Sequence, residues 1–255
     1  MIGFDHLGNL GRLGNQMFEY AALRGIAEKH GYDICIPPSD HVGIENYSLH
    51  ECFNLEHIKT GFINKERYAM EQTFHFNNEL FNTCPDDVSL YGFFQSWKYF
   101  SNVQDLIRKD FTFKKDWLEP CKECFGDDEY IGLHIRRTDY VQKQSYHPLC
   151  TLDYYERALK KLPNIQVIIV SDDPEWCENQ ELFKPDRFLI SDSGNNIVDM
   201  CILSLCKYHV IANSSFSWWG AWLAESEKVI APKIWFGSQA NLDDSDLVPQ
   251  HWERI

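Results

Sequence analysis

The chain contains no apolar run that approaches the length of a membrane span. Its N-terminus carries no basic-then-apolar leader pattern either, because Gly3, Asp5, His6 and Asn9 interrupt the first residues. Positive charge is scarce: 24 Lys and Arg stand against 38 Asp and Glu, a formal net charge of -14. That balance argues against a nucleic-acid binder, which needs a basic footprint, and against a polybasic membrane patch. These absences point to a soluble, cytoplasmic protein. A second metal-ligating pair is missing too. Cys121-Lys-Glu-Cys124 is a lone C-x-x-C, and a structural zinc site needs a partner pair at suitable spacing. The nine cysteines are scattered and odd in number, as expected of small buried apolar residues in a reducing compartment. There are no internal repeats and no low-complexity tracts.

What is present is a globular composition, 44% hydrophobic and 15% aromatic over 255 residues, enough for one large core or two small ones. Ile2 to Leu7 reads as a short strand, followed by a loop with Gly8, Gly11 and Gly14. Phe18, Ala21, Ala22, Gly25 and Ile26 then repeat at helical spacing, and Gly31 is a plausible stop. Asp33 to Ile36 reads as a second strand, ended by Pro37-Pro38. This strand, loop, helix, strand order is a βαβ unit. Val88 to Phe94 also reads as a strand, but most of 40–120 carries no clean periodicity. Charges, Pro120 and Gly126 between 112 and 128 mark a domain boundary, giving domains of 1–120 and 121–255.

The second half alternates more clearly. Expected strands are Tyr130–Ile135, Ile165–Val170, Arg187–Ile190, His209–Ala212 and Lys228–Ala231. Expected helices are Leu152–Leu162, one begun by Asp173 and Pro174, Ile197–Cys206, and a Trp-rich one after Asn213-Ser214-Ser215. Alternation of this kind implies parallel sheets and an α/β fold. Ligands in such sheets sit beyond the C-terminal strand ends. The Gly loop, His134-Ile-Arg136-Arg137-Thr-Asp139, Ser171-Asp172 and Asn213–Ser215 all fall there.

Two adjacent arginines after a buried strand are costly to desolvate without an anionic partner. Guanidinium is also the side chain best shaped to grip phosphate oxygens. Spacing alone leaves open a structural ion pair with Asp139. The Gly8–Gln16 loop is not the G-x-G-x-x-G dinucleotide fingerprint, since its glycines stand three apart. Asn15 and Gln16 add amide groups at the following helix start. Asn213-Ser214-Ser215-Phe216-Ser217 could hold phosphate or merely cap a helix. Trp218, Trp219 and Trp222 read as core. Asp244-Ser-Asp246 has the D-x-D form some sugar-nucleotide enzymes use for a divalent metal, but it lies in an acidic run that reads as a solvated loop.

Taken together, Gly11-Arg-Leu-Gly14-Asn-Gln-Met-Phe-Glu-Tyr-Ala, Gly92–Phe100, His134–Tyr140, Leu152–Tyr155, Ser171-Asp172 and Asn213–Trp222 resemble, in order, the blocks of family 11 glycosyltransferases, the α-1,2-fucosyltransferases. The resemblance implies a GT-B fold with two Rossmann-like domains facing a cleft. The first would take the acceptor side and the second the GDP-sugar. It implies inverting transfer of L-fucose from GDP-fucose to the 2-hydroxyl of a galactose-containing glycan, with no cofactor and no required metal. Arg136 would meet the pyrophosphate, Asp139 would act as base or only orient an arginine, and Asn15 would position acceptor or fucose. Gly14, Gln16, His134, Arg137, Asp172, Asp199, Ser214, Ser215 and Phe216 would contact the donor. Tyr140 and His147 would touch the acceptor. Animal members are anchored by an N-terminal membrane helix, so its lack here suits a bacterial or viral-type setting. A different nucleotide sugar on the same scaffold, or a non-catalytic sugar-nucleotide binder, are the competing readings.

Overall fold

A computed structural model describes residues 1–40, 47–63, 66–126 and 128–255. The chain divides into two compact units. One is Met1–Lys114 with Leu242–Pro249, the other Lys115–Asn241 with Gln250–Ile255.

The first unit runs β1 (Ile2–Gly3), α1 (Leu13–His30), β2 (Ile34–Cys35), α2 (Leu49–Cys52), β3 (Tyr68–Met70), α3 (Asn78–Thr83), β4 (Ser89–Tyr91), a 3-10 turn at Trp97–Phe100 and α4 (Gln104–Asp110). Its sheet is ordered β2-β1-β4-β3, and every pairing is parallel. Helix α1 is buried on nearly all sides, because Met17, Tyr20 and Leu23 are as enclosed as the expected stripe of Phe18, Ala21, Ala22 and Ile26. It stops at Gly31, whose φ of 68° lets its N–H return to the carbonyls of Ala27 and Glu28. Gly25 lets the helix touch the Trp97–Phe100 turn: a Cβ there would lie 1.8 Å from the Tyr99 carbonyl oxygen. Buried Asp110 ties α4 back to α1. It accepts from the Tyr20 hydroxyl at 2.7 Å and pairs with Arg24 at 3.0 Å and His57 at 2.9 Å.

The second unit runs α5 (Lys115–Phe125), β5 (Ile131–Ile135), α6 (Thr138–Gln142), α7 (Leu152–Leu159), β6 (Val167–Ser171), α8 (Pro174–Glu178), β7 (Phe188–Ile190), α9 (Asn196–Leu205), β8 (Tyr208–Val210), α10 (Ser215–Leu223), β9 (Lys228–Ala231) and β10 (Glu253–Arg254). The parallel sheet is ordered β10-β9-β8-β5-β6-β7. Its core gathers Ile131, Leu133, Val167, Ile169 and Val210 with Tyr154, Tyr155 and Ala158 of α7. Trp218 and Trp219 are fully buried, and Trp222 nearly so, in the core position expected of them.

The structure departs from the sequence reading at several points. The boundary expected at 120/121 falls inside α5, and the units part at Lys114/Lys115. Pro120 does not end that helix. Helix α7 stops at Leu159 rather than Leu162. Asp246 is no solvated loop residue: it is buried, accepts the Phe76 N–H at 3.0 Å and meets the Lys98 ammonium at 3.2 Å, which fastens the 242–249 segment to the first unit.

Because backbone stands against the Gly25 position, Gly25→Ala forces α1 off the turn. Thermal or denaturant unfolding should show a loss of roughly 3 kcal/mol, on the scale of core overpacking.

Candidate active site

The order of each sheet fixes where polar groups converge. In the second unit the chain runs β5, β6, β7 to one side, then crosses to place β8 on the other side of β5. The strand order therefore reverses between β5 and β8, where parallel α/β sheets open a crevice at their C-terminal ends. The segments leaving these two strands are His134–Tyr140 and Asn213–Phe216. They touch: the rings of His134 and Phe216 lie 5.4 Å apart, and the Tyr140 hydroxyl donates to the Asn213 carbonyl at 3.1 Å.

Asp172 organises this edge from β6. The register pairs Ile135 with Ser171, so the arginines emerge beside Asp172 and Asp173. Asp172 accepts the Arg137 N–H at 2.8 Å and the Thr138 hydroxyl, and meets Arg136 Nη1 at 2.8 Å. Arg136 Nη2 is paired with Asp139, and its guanidinium lies 5.3 Å from the Tyr140 ring. Arg137 is held differently. Its Nε donates to Asp173 at 2.9 Å, and its guanidinium sits 3.9 Å from the Trp176 ring centre. Asp173 also caps α8 through the Trp176 N–H. Arg137 is thus built into the base of the site, while Arg136 is held between two carboxylates.

His134 is almost wholly buried, and its Nδ1 has no hydrogen-bond partner among the described residues. Burial drives its pKa down to about 3, so the ring is neutral. Ser214 caps α10 by accepting the Phe216 N–H at 3.3 Å, and Ser215 opens that helix. Asn213 braces the loop by donating to the carbonyls of Pro148 and Trp235. Tyr140 and His147 stack at 4.7 Å. Burial raises the Tyr140 phenol to about 12 and lowers His147 below its ordinary value. Asp199 is engaged elsewhere. It accepts from Ser191 at 2.7 Å and Ser193 at 2.8 Å beyond β7, on the far side of β6 from β5.

The first unit repeats the arrangement. Its strand order reverses between β1 and β4. The loop leaving β1 leads to Gly14, Asn15 and Gln16 at the start of α1, and the one leaving β4 carries Gln95. Gln95 donates to Asn15 Oδ1 at 2.9 Å. The Asn15 side chain lies over Gly11, where a Cβ would come within 2.3 Å of its Nδ2. Gln16, expected at the donor, is fully buried with both amide ends used within the unit. It donates to the Gly11 carbonyl at 3.0 Å and accepts the Ser48 N–H at 3.0 Å. It fixes the Gly loop.

Sequence reasoning missed two carboxyls. Glu71 Oε2 accepts the N–H groups of Phe93 (2.8 Å) and Phe94 (3.0 Å), holding the turn that delivers Gln95. Glu19, one helical turn after Asn15, is fully buried with neither oxygen hydrogen-bonded among the described residues. Burial outweighs the two N–H bonds and lifts Glu71 to about 7; burial and then Glu71 lift Glu19 well above its ordinary value. Gln95 stands in the quoted Gly92–Phe100 block. Glu71 lies just after a strand too short to announce itself.

Residues 5–255 match the model of glycosyl transferase family 11. It is 32% identical to an alpha-1,2-colitosyltransferase of Escherichia coli over 96% of both chains. It is 26% identical to galactoside alpha-(1,2)-fucosyltransferase 2 of Sus scrofa, over 89% of this chain and 72% of that one. Among solved structures it resembles the fucosyltransferase NodZ from Bradyrhizobium, with a TM-score of 0.59 at 12% identity over 91% of this chain and 94% of that one. It also resembles POFUT1 in complex with GDP, at 0.57 and 13% over 88% and 94%. The fold is therefore the parallel α/β fold of fucosyltransferases, and the chain belongs to glycosyl transferase family 11. Among the described residues no helix is long and apolar enough to cross a membrane.

The Glu71 pKa sets a pH test. Its ordinary value is 4.5 and its folded value about 7, so folding is favoured with the carboxyl protonated. Its contribution is complete below about 4.5 and is lost as pH rises through about 7. Glu71→Gln removes that loss. It should stabilise the protein by about 2 kcal/mol at pH 8 relative to wild type, with little gain at pH 5, as read from unfolding curves at both pH values.

Proposed function

We propose that this chain is an inverting, metal-independent transferase that moves L-fucose from GDP-fucose to the 2-hydroxyl of a galactose-containing acceptor, forming an α-1,2 linkage. The observation that carries this reading is that the segment bearing Arg136 and Arg137 meets the one that opens α10, through His134 with Phe216 and Tyr140 with Asn213, at the β5–β8 crossover. Guanidinium groups and the hydroxyls and N–H groups of a helix start are the groups that hold phosphate oxygens. The α-1,2 linkage is common to the names of the colitosyltransferase and the galactoside fucosyltransferases. Solved relatives of the fold were crystallised with GDP or soaked with GDP-fucose.

In this mechanism the acceptor oxygen forms a bond to the anomeric carbon on the face opposite GDP. The bond from that carbon to the β-phosphate oxygen breaks, and its electron pair leaves with GDP. Arg136 balances the charge growing on the β-phosphate, with Asp172 fixing the guanidinium in place. Ser214, Ser215 and the first N–H groups of α10 take the remaining phosphate oxygens. Phe216 and neutral His134 pack behind them. Asp139 receives the acceptor proton. Asn15, oriented by Gln95, is assigned to the sugar hydroxyls, and Tyr140 with His147 to the acceptor. Charge neutralisation by arginine makes a divalent ion dispensable, and Asp246 of the D-x-D string is already committed to Phe76 and Lys98.

A second reading is favoured by the 32% identity to a colitosyltransferase across the whole chain: the donor sugar is colitose, which lacks one hydroxyl of fucose. A site built to hydrogen-bond that hydroxyl rejects the sugar without it by orders of magnitude, so a donor panel separates the two. GDP release against a panel of galactosides, with linkage analysis of the product, tests the activity. Turnover with the colitose donor alone, or a linkage other than α-1,2, replaces the first reading.

Arg136→Ala should lower kcat by about a thousandfold, on the scale of a lost charge-stabilising donor, while circular dichroism stays native. Activity within a few-fold of wild type removes Arg136 from the mechanism. Chelator should leave the rate unchanged. A rate that collapses with EDTA and returns with manganese replaces the metal-free mechanism.

A further inference from the structure

Arg136 meets two anions that are not equivalent. Asp172 is anchored three ways, by the Arg137 N–H, the Thr138 hydroxyl and Arg136 Nη1, and its side chain is 20% exposed. Asp139 is 39% exposed and rests on Arg136 Nη2, with only a 3.5 Å approach from Thr138 besides. One carboxylate is part of the frame, and the other is laid on the outer end of the guanidinium. The local charge is also unbalanced. Two arginines face the three carboxylates of Asp139, Asp172 and Asp173, which leaves one negative charge in excess. His134 beside them adds none, because it is neutral. A diphosphate meeting this edge finds both Arg136 amino groups taken.

We infer that Asp139 is a stand-in for the donor's phosphate: it caps Arg136 Nη2 in the empty enzyme and is displaced when the diphosphate binds. This rests on the proposed role of Arg136 and extends it. Carboxylate and phosphate oxygens compete for the same guanidinium edge, because both accept paired N–H bonds of similar length. Asp139 is the second residue of α6, so a change of its side-chain torsions alone frees Nη2, without moving Arg136 away from Asp172. Displacement takes the guanidinium away from Asp139 and leaves an exposed carboxylate three residues from Arg136. Donor binding would thereby make the proton acceptor available only when there is a sugar to transfer. Asp139 is then a positioning residue toward the donor before it is a base toward the acceptor.

The test is calorimetric titration of the full chain with GDP and with inorganic pyrophosphate. Removing a stand-in must strengthen binding, whereas removing a structural partner weakens it. Asp139→Asn and Asp139→Ser should bind GDP roughly tenfold more tightly than wild type, the scale of one charge-assisted hydrogen bond regained. Asp172→Asn should bind more weakly, because Arg136 loses its anchor. Glu175→Gln removes an exposed charge from the start of α8 without uncovering a guanidinium, and should change affinity by less than about twofold, as screened surface charges do. If wild type binds GDP and both Asp139 variants bind it no more tightly, or if Glu175→Gln gains as much as they do, the stand-in role is overturned while the donor site survives. If neither wild type nor any variant binds GDP or pyrophosphate, the donor reading falls and takes the stand-in with it.

Discussion

A pair of guanidiniums at the end of a buried strand has to be neutralised; Asp173 does this for Arg137, and Asp172 does it for Arg136 while also holding the backbone between them. Leaving such charges unpaired in a desolvated position costs several kcal/mol, so the ion pair and the strand pairing support each other. The pairing of Ile135 with Ser171 sets Arg136 beside Asp172. A slip of one residue would turn the arginines and the aspartate to opposite faces. The same carboxylate binds the backbone of Arg137 and the hydroxyl of Thr138, so the turn into α6 is fixed by the group that fixes the charge. Everything proposed for the site, from the phosphate grip to the placement of Asp139, presupposes this one residue.

Both units put their polar groups where the strand order reverses, but they use different chemistry there. The second unit presents ions: Arg136, Arg137 and three aspartates. The first presents neutral amides, Asn15 and Gln95, joined to each other. An ionic edge suits a diphosphate, while an amide edge suits the hydroxyls of a sugar, which offer donors and acceptors without charge. The carboxyls behind the amide edge follow the same division. Glu71 and Glu19 are both driven toward their neutral forms by burial, and Glu71 holds the Phe93–Phe94 turn without adding strong charge to it.

The parts of this arrangement that were legible in the sequence are those where burial is continuous. β5 is buried throughout and β6 nearly so, both read as mainly apolar runs, and the residues that end them carry the site. The Asp173–Pro174 start of α8 and the Gly31 stop of α1 are local chemistry and were readable for that reason. β3 and β10 are three and two residues long, too short for any period to show, and polar β10 carries no apolar signal. Asp246 looks solvated because two acidic neighbours in sequence, Asp243 and Asp244, suggest water, whereas its partners Phe76 and Lys98 are distant along the chain. Gln16 beside Asn15 looked equally suited to a ligand. On a helix, neighbours in sequence face different directions, and Gln16 points into the unit. Asp199 follows the same logic, satisfied by two serines of the segment between β7 and α9.

A chain with a net charge of -14 is an odd host for an anionic donor, and the resolution lies in distance. At physiological ionic strength the screening length is about 8 Å, so acidic side chains spread over the surface slow the encounter without deciding the affinity. Affinity is set by charges within a few ångströms of the phosphates, which here means two arginines and their aspartates. The excess carboxylate in that cluster would be a defect if it were fixed. Because Asp139 is half exposed and held mainly by the guanidinium that a phosphate would claim, the excess is removable by the ligand itself. The same acidic balance that disfavours anions in general then leaves the site selective for one able to displace a carboxylate from arginine. A diphosphate, with several oxygens to offer, does that better than a lone carboxylate or chloride.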